Sequence, residues 1–341
     1  MLRGLIVALV PALAGAGACV ALGVPAGALI GSTLAVTAVA LARLGPRVPQ
    51  TLRDTAFATI GVTLGSGVTP HLLSDLARFP LSLAALTVTI VVVMALSGMV
   101  LRRGFGLDRA TSILATSPGA MSYALSLAVG GGRAKPDTQT VMTLQSLRLL
   151  LITVLLPPLI AQIDATTGTP HPAVAALPIL SLVPSVVLIA AAFVVGIGFG
   201  RLHVPAAFLL AGVVTSGLAH GAGLLEGRPS NILTFVGFSL AGAVIGERFD
   251  RLDRTALKHL IVAGLVTTGI AVGVSGLASA GVAHLLALPF GQVWVSFAPG
   301  GVEGMGAMAL ALGYDPVYVA THHIYRLLLL IALLPILLRR I

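Results

Sequence analysis

The chain is a series of apolar runs, at roughly 4–22, 25–43, 50–68, 81–101, 108–130 and 137–160, then again at roughly 180–199, 204–220, 230–246, 260–283, 290–312 and 317–338. Each is near the ~20 residues that a helix needs to cross a bilayer. Two runs are interrupted, one by Ala115-Thr116-Ser117-Pro118-Gly119-Ala120-Met121 and the other by Phe297-Ala298-Pro299-Gly300-Gly301-Val302-Glu303. Proline has no N–H to donate and clashes with the preceding turn, while glycine adds backbone freedom. Each interruption therefore predicts two half-helices joined by unwound backbone. Within a bilayer such backbone survives only where it is buried in protein or lines a cavity, and a pair of such breaks in two halves of a chain points to a transport site.

The two sets of runs match in sequence as well as in order. Leu22-Gly23-Val24-Pro25-Ala26 recurs as Leu202-His203-Val204-Pro205-Ala206, Pro49 as Pro229, and Gly61 and Gly65 as Gly242 and Gly246. Ser146-Leu147-Arg148-Leu149-Leu150 recurs as Ile324-Tyr325-Arg326-Leu327-Leu328. The chain reads as a tandem duplication, with one membrane repeat at 1–163, a linker at 164–178 and a second repeat at 179–341. Arg3 and the apolar run after it resemble a signal peptide, but the segment is one member of this duplication, so cleavage is not expected.

Composition sharpens the class. With 57% hydrophobic residues, 9% charged and a mean hydropathy of +1.05, the chain is far from a soluble globule, in which about a quarter of residues are charged. The net charge of +9 could suggest nucleic acid, yet the basic residues stand singly or in pairs between apolar runs, and no nucleic-acid partner is expected. They read as topology signals. If each broken run leaves on the side it entered, each half has five spans and the halves are inverted. Of the 20 lysines and arginines, only Arg78 and Arg228 then fall outside, and Arg148 and Arg326 lie within spans. Full crossing would move Arg133, Lys135 and the cluster from Arg248 to Lys258 to the outside, a poorer split. The expectation is an all-α polytopic membrane protein of about 10 transmembrane helices, built as two inverted repeats of about five spans, each with a Pro-Gly broken, re-entrant helix. It would sit in a bacterial-type cytoplasmic (inner) membrane with both termini cytoplasmic, and self-association is left open.

Several residues could carry chemistry. Arg148 and Arg326 are charges in the middle of apolar runs, costly and by default functional. Two readings stand side by side: a pair of guanidinium anchors for an anion, or caps on the loose carbonyls of the broken helices. Half-helices starting after Pro118 and Pro299 would present free N–H groups from the Gly119 and Gly300-Gly301 stretches, also suited to a negative ligand. Ser117 could add a hydroxyl. Glu303 could exchange a proton or be fixed in a salt bridge with Arg326. His322 and His323 share a helix side with Arg326, and either could take part in proton coupling or bond to a neighbouring carbonyl. Gln145 is the first-half counterpart of His323. The remaining histidines are scattered, Cys19 is alone, and no metal cluster forms from spacing, so neither a metal nor another cofactor is expected. Nucleotide-binding, nucleophile-elbow and zinc-protease motifs are absent, so the chain does not read as an enzyme.

The paired Ser117-Pro118-Gly119 and Ala298-Pro299-Gly300-Gly301 breaks, the Leu147-Arg148-Leu149 and Tyr325-Arg326-Leu327 spans, and a Val-Pro-Ala step opening each half together resemble the AbrB-type integral membrane family. The resemblance covers nearly the whole chain. It implies kinship with the cation-proton-antiporter and anion-transporter superfamily, and an elevator or rocking mechanism. Members also carry the labels regulator of gene expression and ammonia monooxygenase. The sequence departs from the family pattern at Ala120, where a second glycine is usual, and at His323, where glutamine is expected. The expected function is secondary transport of small organic anions, coupled to H+ or Na+, with Ser117, Pro118, Gly119, Arg148, Pro299, Gly300, Gly301 and Arg326 binding substrate. Gln145, Glu303, His322 and His323 are the expected coupling residues. A membrane sensor that regulates gene expression is the alternative, and the monooxygenase label stands behind it.

Overall fold

The computed structural model describes residues 2–67, 79–118, 136–167, 178–204 and 206–339, without the side chains of Arg254 and Glu303. Thirteen α-helices run in this order among the described residues: α1 Leu2–Ala21, α2 Gly27–Leu41, α3 Gln50–Gly65, α4 Phe79–Phe105, α5 Arg109–Thr116, α6 Thr138–Thr167, α7 Leu182–Arg201, α8 Ala207–Gly221, α9 Asn231–Gly246, α10 Arg254–Leu286, α11 Phe290–Phe297, α12 Val302–Ala311 and α13 Pro316–Arg339. A short 3-10 turn, Glu247–Arg251, follows α9. Seven of the described helices are long and apolar enough to cross a bilayer, and α2 and α8 are shorter apolar ones. The chain is an all-helical polytopic membrane protein. Its surface agrees with that solvent: Val183, Val194 and Leu277 are 72%, 67% and 79% exposed, while Ser32, Thr33, Thr63 and Ser185 are buried.

The helices of the second half repeat those of the first in order and, for most, in length. The pairs α1/α7, α2/α8, α3/α9 and α5/α11 have 20, 15, 16 and 8 residues in both copies. The entry to α2 and α8 is also repeated, through left-handed alanines at Ala26 (φ 54°) and Ala206 (φ 51°). A residue with a Cβ pays strain in that region, so the same unfavourable choice at both sites is a shared turn rather than chance. α6 runs on to Thr167, so residues 164–167 of the expected linker are helical.

Packing divides the chain along a different line from the repeats. One compact unit gathers α1–α3 with α7–α9, the end of α6 from Pro157, and α12 from Glu303 with the chain on to Ala320. The other gathers α4, α5, α6 up to Leu156, α10, α11 and α13 from Thr321. Thus each unit takes equivalent helices from both halves. α6 changes unit at Pro157-Pro158, where two consecutive residues lack N–H donors and the helix is weakest.

In the first unit small residues let backbones approach, as expected where lipid supplies no hydrophobic force between helices. Ala8, Ala12, Val36, Ala243 and Val244 form one cluster of α1, α2 and α9, and Ala58, Val62, Leu188, Ile189 and Ala192 join α3 to α7. The end of α9 is pinned by Glu247, which is buried, forms an ion pair with Arg53 and accepts from the Val48 N–H at 2.7 Å.

The start of α6 sets the register of the helix that carries Arg148. Asp137 accepts from the N–H groups of Gln139 (3.0 Å) and Thr140 (3.2 Å) and from the Thr140 hydroxyl (2.6 Å). Its own N–H donates to the Thr111 hydroxyl at 2.8 Å, which ties α6 to α5. Burial pushes the Asp137 carboxyl up, but these hydrogen bonds outweigh it and hold the group below its ordinary range. Because the folded value is the depressed one, the cap stabilises above the unfolded value of about 3.9 and is lost as pH falls through the folded value. Asp137→Ala should cost about 1 kcal/mol near neutrality. The gap from the parent in thermal unfolding should close in acid, and a gap independent of pH would count against the cap.

Candidate functional site

The two breaks follow from the prolines. A residue preceding proline is driven out of the helical region, and Ser117 (φ −64°, ψ 119°) and Ala298 (φ −58°, ψ 137°) are both extended. α5 therefore stops at Thr116 and α11 at Phe297, and α12 resumes at Val302. α5 begins at an Asp108 cap, whose side chain accepts from Thr111 N–H at 2.8 Å. A helix that ends inside the protein leaves its last carbonyls without intrahelical donors. Here α6 and α13 supply them.

The Arg148 guanidinium donates to the carbonyls of Ala115 (3.2 Å), Thr116 (3.3 Å) and Ser117 (3.0 Å). One turn earlier on α6, the Gln145 amide donates to Leu114 O at 2.7 Å. The second half repeats the device. Arg326 donates to Ala298 O (2.7 Å) and Gly300 O (2.5 Å), and His323 Nε2 meets Val295 O at 3.0 Å. A carbonyl only accepts, so Nε2 carries the proton of His323. Histidine where glutamine stands in the other half is thus an exchange of one donor for another. Side chains three apart on a helix lie on one face, which is why one helix can deliver both.

These contacts decide several expectations. The capping role proposed for Arg148 and Arg326 is present, and both residues are buried, at 8% and 1% exposure. Gln145 and His323 are engaged in the same clamps. The Ser117 hydroxyl, offered by the sequence as a possible donor to a ligand, here donates to Leu114 O at 2.8 Å. Pro118 is buried, Gly300 serves through its carbonyl, and Pro299 and Gly301 form the non-helical stretch before α12. His322 shares its helix side with the clamp but turns to α4, where Nε2 lies 2.8 Å from Ser82 Oγ, and its ring is flanked by Phe79 and Phe297. Gly119 and the Glu303 side chain lie outside the described residues.

Trp294 holds α11 in place. Its indole N–H reaches Val272 O (3.2 Å) and Ser275 Oγ (3.3 Å) on α10, over Gly276, where an added Cβ would come within 3.1 Å of the ring. The single tryptophan is a buried strut.

Beside the clamps, Arg148 Nε and His323 Nδ1 have no hydrogen-bond partner among the described residues. Arg148 lines a cavity of about 10 Å³ together with Ser97, Thr116 and Thr267, the size of one water. No carboxylate pairs with Arg148 among the described residues. A much larger cleft, about 470 Å³, lies in the other unit between α3, α7 and α9. It is walled by Val186, Ile189, Phe193, Leu233 and Val236, and its Thr59 hydroxyl is bonded to its own helix, so it offers no anchor for a polar ligand.

Besides Glu247, the sequence reading passed over a second buried acid. Asp164, near the end of α6, is 3% exposed and accepts from the Tyr314 hydroxyl, itself fully buried. Its position in the expected linker hid it, and no local signal marks it as buried.

A relative, the uncharacterized protein YhjN of Bacillus subtilis (strain 168), is 26% identical over 290 residues, covering 81% of this chain and 75% of its own length. The family model described as transition state regulatory protein AbrB matches residues 28–341, both breaks and both clamps included, and the chain therefore belongs to the AbrB family.

Proposed function

We propose that the protein is a secondary transporter of small organic anions, driven by H+ or Na+, rather than an enzyme. The observation that carries this reading is the doubled clamp, a buried guanidinium on a Pro-broken helix in each half of the chain. A broken helix in both repeats is a recurrent feature of carriers whose repeats move to expose a central site alternately to the two sides. The sign of the substrate follows from charge: Arg148 is buried with only carbonyls as its described partners, so a ligand that completes the site should be negative. On this reading the termini are cytoplasmic and the membrane is the inner one, as the lysine and arginine distribution favours.

Charge displacement from proteoliposomes on a solid-supported membrane tests it, with panels of carboxylates, amines and inorganic ions. Arg148→Gln and Arg326→Gln are the informative variants, since the amide can still donate to a carbonyl while the charge is gone. A carboxylate current that disappears in both folded variants is expected. Currents with amines, or carboxylate currents that persist in both variants, would overturn the anion reading. The regulatory wording of the family description favours a second reading, a membrane sensor of such a ligand. That reading predicts thermal stabilisation by a carboxylate without current or exchange.

A further inference from the structure

The residues first expected to couple transport to an ion are, where described, committed to structural bonds. Gln145 and His323 cap carbonyls, and His322 is bound to Ser82. Asp164 is different. It is a carboxyl at 3% exposure, on a helix long and apolar enough to span the membrane. One oxygen, Oδ2, accepts from the Tyr314 hydroxyl, and Oδ1 has no hydrogen-bond partner among the described residues. No lysine, arginine or histidine forms an ion pair with it among them.

A carboxylate in this setting keeps a full charge against a single donor, an expensive arrangement unless a positive charge joins it. The phenol does not compensate it by ionising itself: burial, and then the neighbouring carboxyl, push Tyr314 up, so the hydroxyl stays a donor. A metal ion would need a shell of several oxygens, and among the described residues no group of three acidic, histidine or cysteine side chains could hold one. A proton needs only the open Oδ1. A neutral acid with one unmatched O–H also costs far less than an unmatched charge.

We infer that Asp164 is a proton-binding carboxyl, loaded at Oδ1 and oriented by Tyr314, and that it carries the coupling proton of the transporter proposed above. The inference rests on that reading for its coupling role, though not for proton binding itself. The other titratable groups described on the stretch around Tyr314 are Asp315, whose carboxylate caps α13 through the N–H groups of Val317 (2.8 Å) and Tyr318 (3.2 Å), and Tyr318 itself. Asp315 is thereby accounted for as a cap.

Infrared difference spectroscopy of the purified full chain between acid and alkaline buffer reads the protonated carboxyl directly and needs no substrate. The expected result is a carboxylic C=O band that is lost in Asp164→Asn and moves in frequency in Tyr314→Phe, where the oxygen that accepts from the phenol has lost its donor. A band set identical in parent and Asp164→Asn would overturn proton binding. So would a band that sodium, but not potassium, suppresses at fixed pH, since that indicates a metal ion at the site. In proteoliposomes Asp164→Asn should abolish uptake driven by a proton gradient yet keep substrate counterflow. Gradient-driven uptake retained in Asp164→Asn would overturn the coupling role. Loss of counterflow in the parent as well would count against the transporter reading and leave the infrared result standing.

Discussion

Arg326→Met lowers the stability of the protein by about 1–3 kcal/mol, because the buried Gly300 carbonyl loses its donor, while Ala298 O keeps the Gly300 N–H at 2.8 Å. Methionine keeps the length and apolar stem of the side chain, so the loss reports the guanidinium and not a cavity. Arg326 holds the carbonyls of Ala298 and Gly300 at 2.7 and 2.5 Å. Gly300 lies in the non-helical stretch between α11 and α12, where no helical N–H can replace the lost donor. Arg148→Met should cost less, since its three contacts are longer, 3.0–3.3 Å, and two of them go to the last residues of α5. Thermal unfolding in detergent, followed by tryptophan fluorescence from Trp294 on α11, gives the order. Equal midpoints for parent and Arg326→Met would show that the clamp holds nothing.

The second large effect is steric. Gly61→Ala should destabilise by about 1–3 kcal/mol or more, against the ordinary preference of helices for alanine. At Gly61 an added Cβ would stand 2.1 Å from Leu209 O and 3.0 Å from Gly212 Cα, where α3 and α8 cross. The neighbour is backbone, so no side chain can swing away, and the helices themselves must part. The repeat-related Gly242 is as tight, with Ser32 Oγ at 1.9 Å and Leu29 O at 2.6 Å. Gly17 in α1 and Gly98 in α4 have nothing within 4 Å of the same position and serve as controls. Alanine there should leave stability unchanged or raise it by about 1 kcal/mol through helix propensity. If Gly61→Ala behaves like Gly17→Ala in denaturant or heat, close crossing is not what holds α3 to α8.

Taken alone, the sequence determined everything that depends on local chemistry. The apolar runs are visible because a helix in lipid must be apolar over its length, and the described helices follow them in order, several running past their ends. The breaks are visible because proline forces its predecessor out of the helix wherever it occurs, and Ser117 and Ala298 obey. Arg148 and Arg326 could be picked out for the cost of a charge in that setting. What they do there could not be read, because a hydrogen-bond partner is set by which helix lies alongside. Leu114 O is 31 residues from Gln145, and Ala298 O is 28 from Arg326. Only the tertiary structure chose the carbonyl caps, turned His322 towards Ser82 and spent the Ser117 hydroxyl on its own helix. It also decided the grouping of helices, since two repeats with the same local code can pack with themselves or with each other's equivalents. Asp164 is the plainest case. In sequence it is an acid at the edge of an apolar run, and it becomes a buried, half-satisfied carboxyl because Tyr314, 150 residues away, is folded against it.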